Sequence, residues 1–267
     1  MSERDWQILA TVRAFRFLTT RQLTRQHFAM IDPNGAIPRN ANLALQRLRD
    51  LGLLVNLDRR IGGVRAGSGG HVWQMTDLAN RLLVDHFGEE SQPRIRPSEP
   101  TTTFLDHTLA VAEVVITLQA TSRDGVEIER LQLEPGCWRT FLGAAGEPRT
   151  LRPDLASTSR TGAFTDFYFW EVDRATEAPS RVVRKCLQYQ QYRDTGAEQQ
   201  AHGLFPAVVW VVPNRRRFDQ LAKRLAVEPG IDQRLFTVVQ LDQIRELTRL
   251  GTDEFRLRAR REGGAPS

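Results

Sequence analysis

The sequence predicts an α/β protein, α+β overall, organised as two domains, and three observations carry that expectation. A stretch rich in proline, charge and small polar residues, "GEESQPRIRPSEPTTT" at 88–103, divides the chain. Before it, short amphipathic helices lead into two strands separated by a glycine- and arginine-rich loop. After it, helix and strand patterns follow in the order α-β-β-β-α-β. At 267 residues the chain can form two modest domains, each with its own core.

The first half opens on "ERDWQILATVRAF", where Trp6, Leu9, Ala10 and Arg13 follow helical spacing. "LTTRQLTRQHF" offers Thr19 or Thr20 as an N-cap for a short helix carrying Leu23 and Phe28. After the loop "MIDPNGAIP", a third helix is expected in "RNANLALQRLRDLGLL". Leu43, Leu45, Leu48 and Leu51 supply its apolar stripe, and Gly52 stands where a helix-ending glycine belongs. "LVNLDRRIGGVRAGSGGHVWQMT" reads as a hairpin, and "DLANRLLVDHF" as one more amphipathic helix.

Three short helices and a glycine-rich hairpin form the order of a winged helix-turn-helix, in which the third helix enters the major groove and the hairpin reaches phosphates. The candidate DNA contacts are Arg39, Asn40, Asn42, Gln46, Arg47 and Arg49 on the helix, with Arg59, Arg60, Arg65 and His71 on the wing. A net charge of +5 and a pI near 9.8 favour a polyanionic partner. A protein-contacting winged domain whose arginines only solvate its faces is the competing account.

In the second half, "FLDHTLAVAEVVITLQATS" is a helix with nearly continuous apolar surface, so burial is expected. "GVEIERLQLEPG" is a strand, and "TLRPDLAST" and "AFTDFYFWEVDRAT" form two more around "SRTG". "SRVVRKCLQYQQYRDTG" is helical, "FPAVVWVVP" a buried strand, "RRRFDQLAKRLAVE" a helix, "LFTVVQL" a strand and "DQIRELTRL" a last helix. The longest apolar runs are far shorter than a membrane span, and the charged start "MSERDWQILA" argues against a signal peptide. Cys137 and Cys186 are far apart and suggest neither a disulfide framework nor a metal knuckle, which together favours a cytoplasmic location.

This string is the minimal core of the PD-(D/E)xK restriction-endonuclease-like fold, and two short motifs resemble that superfamily's. "RPD" at 152–154 places Asp154 on the second strand, and "EVD" at 171–173 occupies the (D/E)xK position. Acids on neighbouring strands can share a divalent ion that polarises a phosphate and activates water. The ligand set is then Asp154, Glu171 and Asp173, with Mg²⁺ or Mn²⁺ as the cofactor if the site is active. Asp173 stands where that pattern has lysine. Glu171 and Asp173, two apart on a strand, should share a face.

The chain has only two lysines, Lys185 and Lys223, so one placed beside these acids is informative. Lys185, Gln188, Tyr189 and Tyr192 share a helical face, and Gln188 and Tyr192 match the Q-x-x-x-Y pattern that follows the catalytic strand in RecB-like nucleases. Lys185 is the candidate relocated lysine, with Gln188 and Tyr192 beside it. Glu113 is a candidate extra acid, with Asp106 competing, and His107 reads as a structural histidine. The bland alternative has Asp154 capping a turn, and Glu171 and Asp173 on an edge strand paired with Arg152, Arg174 or Arg184. The helix face is then ordinary amphipathic packing.

Taken together, "FLTTRQLTRQHF", "QRLRDLGLLV", "FLDHTLAVAEV", "RPDL" and "FWEVDRATE…RKCLQYQQY" resemble the replication-relaxation family, over about residues 5–215. That family is associated with plasmids and other mobile elements of Gram-positive bacteria. The resemblance implies a winged-helix DNA-binding region and a part in plasmid replication or DNA relaxation, while the residues themselves divide the chain into a winged-helix domain at 1–87, a linker at 88–103, a nuclease-like domain at 104–250 and a basic, flexible tail at 251–267. The first reading is a DNA-binding protein of a mobile element whose second domain is a degenerate nuclease. An active metal-dependent nuclease or nickase, and a dimeric winged-helix transcriptional regulator, stay open. The expected partners are double-stranded DNA, a relaxase or replication protein and a second copy of the chain, with no membrane.

Overall fold

In a computed structural model, the structure describes residues 1–28, 38–57, 71–89 and 94–263. It is a mixed α/β protein dividing into two units, Met1–Ile116 and Thr117–Ser267. The division falls inside one long helix rather than in the 88–103 stretch.

In the first unit, α1 (Glu3–Phe15) starts on a capping box between Ser2 and Asp5. The short β1 (Leu18–Thr19) leads straight into α2 (Thr20–His27), whose N-cap is Thr19 in a reciprocal box with Gln22. α3 (Arg39–Asp50) ends before Gly52, whose φ of 70° only glycine adopts without strain. β2 (Leu54–Asn56) and β3 (Val72–Met75) pair antiparallel, and β1 adds to β3's other side to give the order β1-β3-β2. α4 (Asp77–Phe87) is capped by Thr76 and closed by Gly88 in the left-handed conformation. α5 (Thr102–Ala120) completes the unit and crosses its boundary.

Ile8, Leu9, Val12, Leu23, Leu45, Leu48 and Leu83 fill the core of this unit, each contributing about 1.5–3 kcal/mol by leaving water. The apolar stripe of α3 differs from the expected leucine set. Ala41, Leu45 and Leu48 are buried, whereas Leu43 and Leu51 are more than half exposed. The spacing 41-45-48 follows one helical face, and residues 43 and 51 lie off it, so leucine identity misled where periodicity would not.

The second unit is built on a five-stranded sheet. β4 (Val126–Leu133) is followed by a separate hairpin, β5 (Arg139–Leu142) and β6 (Pro148–Leu151). β7 (Leu155–Thr161) and β8 (Phe164–Val172) form an antiparallel pair turning at Gly162, where φ is 60°. α6 (Pro179–Asp194) and the short α7 (Ala197–His202) lead to β9 (Ala207–Val212). α8 (Arg215–Val227), β10 (Phe236–Gln240), α9 (Ile244–Leu250) and α10 (Thr252–Gly263) follow. The sheet order is β10-β9-β8-β7-β4, with β8, β9 and β10 parallel and the β4-β7-β8 pairs antiparallel.

Three expectations change here. "TLRPDLAST" is two strands, not one, because Pro153 has no N–H to give a ladder. Asp154 therefore stands just before β7 instead of on it. The stretch expected as a tail from 251 contains α10, started anew after Gly251 at φ 73° and anchored by the buried Phe255. No helix among the described residues is long and apolar enough to cross a membrane. Cys137 and Cys186 are free and buried, and burial pushes both thiols up to about 12, so neither is a ready nucleophile.

His27, at the end of α2, lies 3.0 Å from the Thr11 hydroxyl of α1. Burial, with Arg4 adding to it, pulls its pKa from 6.5 down to about 4. The folded state thus holds the imidazole neutral while the unfolded chain takes up a proton first. Stability from this residue is fully present above pH 6.5 and is lost as pH falls towards 4. Thermal melts across that window should show the wild type losing more midpoint than His27→Gln; parallel pH profiles would refute the assignment.

Candidate functional site

Two groups of sequence-selected residues come together in space, one in each unit. In the first unit, burying Ala41, Leu45 and Leu48 turns the rest of α3 outwards. Arg39, Asn40, Asn42, Gln46, Arg47 and Arg49 are all exposed. They do not all present alike. The Arg47 guanidinium is 2.5 Å from the Asp5 carboxylate, fastening α3 to the capping box of α1. Arg49 folds back on Asp50 at 2.9 Å. Arg39 makes no ion pair among the described residues, so it is the most available cation of the helix. His71 is exposed before β3, with its ring 5.9 Å from Trp73. Arg59, Arg60 and Arg65 lie outside the described residues.

In the second unit Glu171 sits on β8, which is the middle strand of five and not an edge. Glu171 is buried, facing α6. Its Oε2 accepts from Lys185 Nζ at 2.5 Å, and its Oε1 accepts from the Tyr189 hydroxyl, also at 2.5 Å. Lys185 and Tyr189 are one helical turn apart, so a single face of α6 grips both carboxylate oxygens. Burial pushes Glu171 up to about 7, against the pull of Lys185 and with Asp154 adding to the rise. Burial works against the Lys185 ammonium, but Glu171 and then Asp154 outweigh it and raise its pKa. The Tyr189 phenol is raised well above its usual value by burial and then by Glu171.

Asp154 is drawn to the same place by the backbone. Its N–H donates to the Trp170 carbonyl at 3.1 Å, and its Oδ2 accepts from the Val172 N–H at 2.6 Å. The side chain thus extends the β7–β8 ladder past Pro153, where the chain could not. Asp173 follows the end of β8 and is committed elsewhere. Arg217 of α8 grips it with two bonds, Nε to Oδ2 at 2.6 Å and Nη2 to Oδ1 at 2.9 Å, and both side chains are about 95% buried. Arg217 also donates to the Glu177 carbonyl, and the Ala175 N–H donates to Asp173 Oδ2.

The remaining candidates separate. Gln188 is exposed on α6. Tyr192 is buried but turns to Glu198, 2.7 Å away, which also accepts from Arg139 at 2.7 Å. Arg152 lies over the Trp138 ring at 4.5 Å instead of pairing with the β8 acids. In the first unit, Glu113 is bound by Gln22 and ion-paired with Arg25. Sequence reasoning did not single out Arg217, since it is one of three consecutive arginines in "RRRF" with no distinguishing neighbour. Tyr189 was legible, being one turn after Lys185.

The donor set does not fit a divalent ion. Both oxygens of Glu171 and both of Asp173 are engaged by cations or protein donors, and one oxygen of Asp154 is spent on the strand backbone. Among the described residues, no three His, Cys, Asp or Glu side chains group closely enough to hold a metal. The arrangement is a neutralised acid cluster with its lysine supplied from a helix.

The Asp173–Arg217 pair has a measurable consequence. Arg217→Ala leaves a buried carboxylate without its counter-charge and should cost about 3–5 kcal/mol in urea unfolding. The double variant Asp173→Leu/Arg217→Met should recover most of that loss. A cost within about 0.5 kcal/mol for the single variant, the usual range of surface substitutions, would show that the pair does not hold α8 to the sheet.

A comparison with curated proteins finds no match. The family model described as replication-relaxation matches residues 9–208, a span that includes α3, Asp154, Glu171 and Lys185. The chain belongs to the replication-relaxation family.

Proposed function

We propose that this protein binds duplex DNA during the replication or relaxation of a plasmid or other mobile element. In this reading, residues 1–87 act as a winged helix and the second unit is a nuclease-like domain retired from cleavage. The observation that carries it is α3, which buries Ala41, Leu45 and Leu48 and turns a row of Arg, Asn and Gln side chains outwards. Such side chains bond base edges and phosphates, and a helix of 12 residues suits the major groove. The family description and the basic net charge support the same reading.

The chemistry of the second unit supports its retirement. An active two-acid site needs carboxylate oxygens aimed at a shared ion, with a lysine left to position water. Here Lys185 neutralises Glu171 directly, and Asp173 is held by Arg217. The unit then serves as a scaffold for contact with DNA or with a relaxase or replication protein.

Fluorescence anisotropy on duplex DNA tests the first part. Affinity should fall steeply with salt, and Arg39→Ala should lower the log–log slope by about 1 if the side chain meets a phosphate. An affinity flat with salt would sink the DNA-binding reading. Incubation of supercoiled plasmid with Mg²⁺ or Mn²⁺ tests the second part, with intact plasmid as the expected result. Nicking that disappears in Glu171→Ala or Asp154→Ala would show instead that the acids still cut.

A further inference from the structure

The first unit contains a recess that the proposed DNA-binding surface does not use. It has a volume of about 530 Å³, within the range of small-molecule sites. The end of α1 and the extended segment that follows α4 form its walls. Its lining cations include Arg16 from the α1 C-cap, and Arg94 and Arg96 from the segment after α4. All three are exposed, and none makes an ion pair among the described residues. Arg13 also lines it, and although it pairs with Glu89 at 2.6 Å, its Nη1 is buried with no hydrogen-bond partner among the described residues. Such an unanswered buried donor is unusual and invites an acceptor.

The backbone that carries the cations is anchored. Arg16 has φ 67°, a strained value for a residue other than glycine, and its N–H donates to the Val12 carbonyl. The extended segment is tied down at two points: the Ile95 N–H donates to the Asp77 carboxylate and the Ser98 N–H to the Gln74 side chain, each at 3.1 Å. Ile95 packs against the core, and Arg94 and Arg96 on either side of it line the recess. Pro97 keeps Arg96 out of helical backbone. The recess also has an aromatic wall, where Phe17 and Phe104 meet edge to face at 6.3 Å and Phe104 remains 43% exposed.

Guanidinium groups recognise phosphate oxygens, and an exposed aromatic ring beside them stacks with a planar base. We infer that this recess is a binding site for a nucleoside phosphate, supplied either as a free nucleotide or as the phosphorylated end of a single strand. The arginines take the phosphate and Phe104 takes the base. A duplex lying along α3 needs none of these residues, so this site and the proposed recognition helix stand or fall separately.

Isothermal titration of the full chain tests it with four probes: ADP, inorganic phosphate, adenosine and a short 5′-phosphorylated oligodeoxythymidine. Saturable binding is expected for ADP or for the oligonucleotide, with phosphate and adenosine alone each weaker. Arg16→Ala and Arg96→Ala remove exposed side chains, and each should weaken binding at least about tenfold, the loss of one charge-assisted bond. Phe104→Ala should weaken the base-bearing probes and leave inorganic phosphate unchanged. Binding of ADP assigns the site to free nucleotides; binding of the oligonucleotide alone, equally sensitive to the arginine variants, assigns it to strand ends. No saturable binding of either probe at millimolar concentration, or binding indifferent to both arginine substitutions, would overturn the inference. Circular dichroism of each variant verifies that the fold is retained, and charge-conserving Arg96→Lys should recover part of the affinity.

Discussion

A carboxylate buried in the middle of a β-sheet is the constraint on which the second unit depends. Glu171 cannot stand there alone, since an ionised acid out of water costs several kcal/mol unless it is paired. Its partners must come from whatever packs over β8, which requires α6 to lie with Lys185 and Tyr189 above the strand. Two residues on, Asp173 imposes the same demand on α8, and Arg217 answers it. The pair of acids thus fixes two helices on one face of the sheet, each by a polar bond that has a single satisfactory geometry. The apolar contacts around them, Phe169, Val182, Val183, Leu221 and Leu225 among others, supply burial but not that selectivity.

The same constraint explains how two acids two residues apart are both buried at this end of β8. A cation on the helix keeps one positive charge beside Glu171 while position 173 takes a second partner. The cost is access. Lys185 and Tyr189 occupy both oxygens of Glu171, and the strand backbone takes one of Asp154's. What stabilises the cluster is therefore also what closes it to a metal, and the proposed loss of cleavage needs no further damage to the domain.

Much of this was legible in the residues. An N-cap at Thr19 or Thr20, the ends of α1 and α4 and the glycine after α3 follow from local chemistry that acts within one turn of helix. The proximity of Lys185 to Glu171 was legible for a different reason, because lysine is so scarce that its placement carries information. Features decided by distant packing were not. Leu43 and Leu51 look like core residues, and only the position of α3 against α1 and β2 selects Ala41, Leu45 and Leu48 instead. Tyr192 fits a motif with Gln188, yet Glu198, on a helix that the sequence did not suggest, draws its hydroxyl away. Arg217 could not be told from Arg215 and Arg216 until α8 was placed on the sheet.

The extent of the family match sharpens the distinction between the two acids. Residues 9–208 contain Glu171 with both of its partners, Lys185 and Tyr189, so that cluster lies wholly inside the segment that defines the family. Asp173 also lies inside it, but Arg217 does not. The helix–lysine answer to the first acid belongs to the matched segment, whereas the neutralisation of the second depends on chain beyond it. A cut at 208 would remove Arg217 together with most of β9, the strand that pairs with β8 on the side away from β7. On these grounds α8 belongs to the folding unit even though the family match stops before it, because it carries the charge that lets β8 end in an acid.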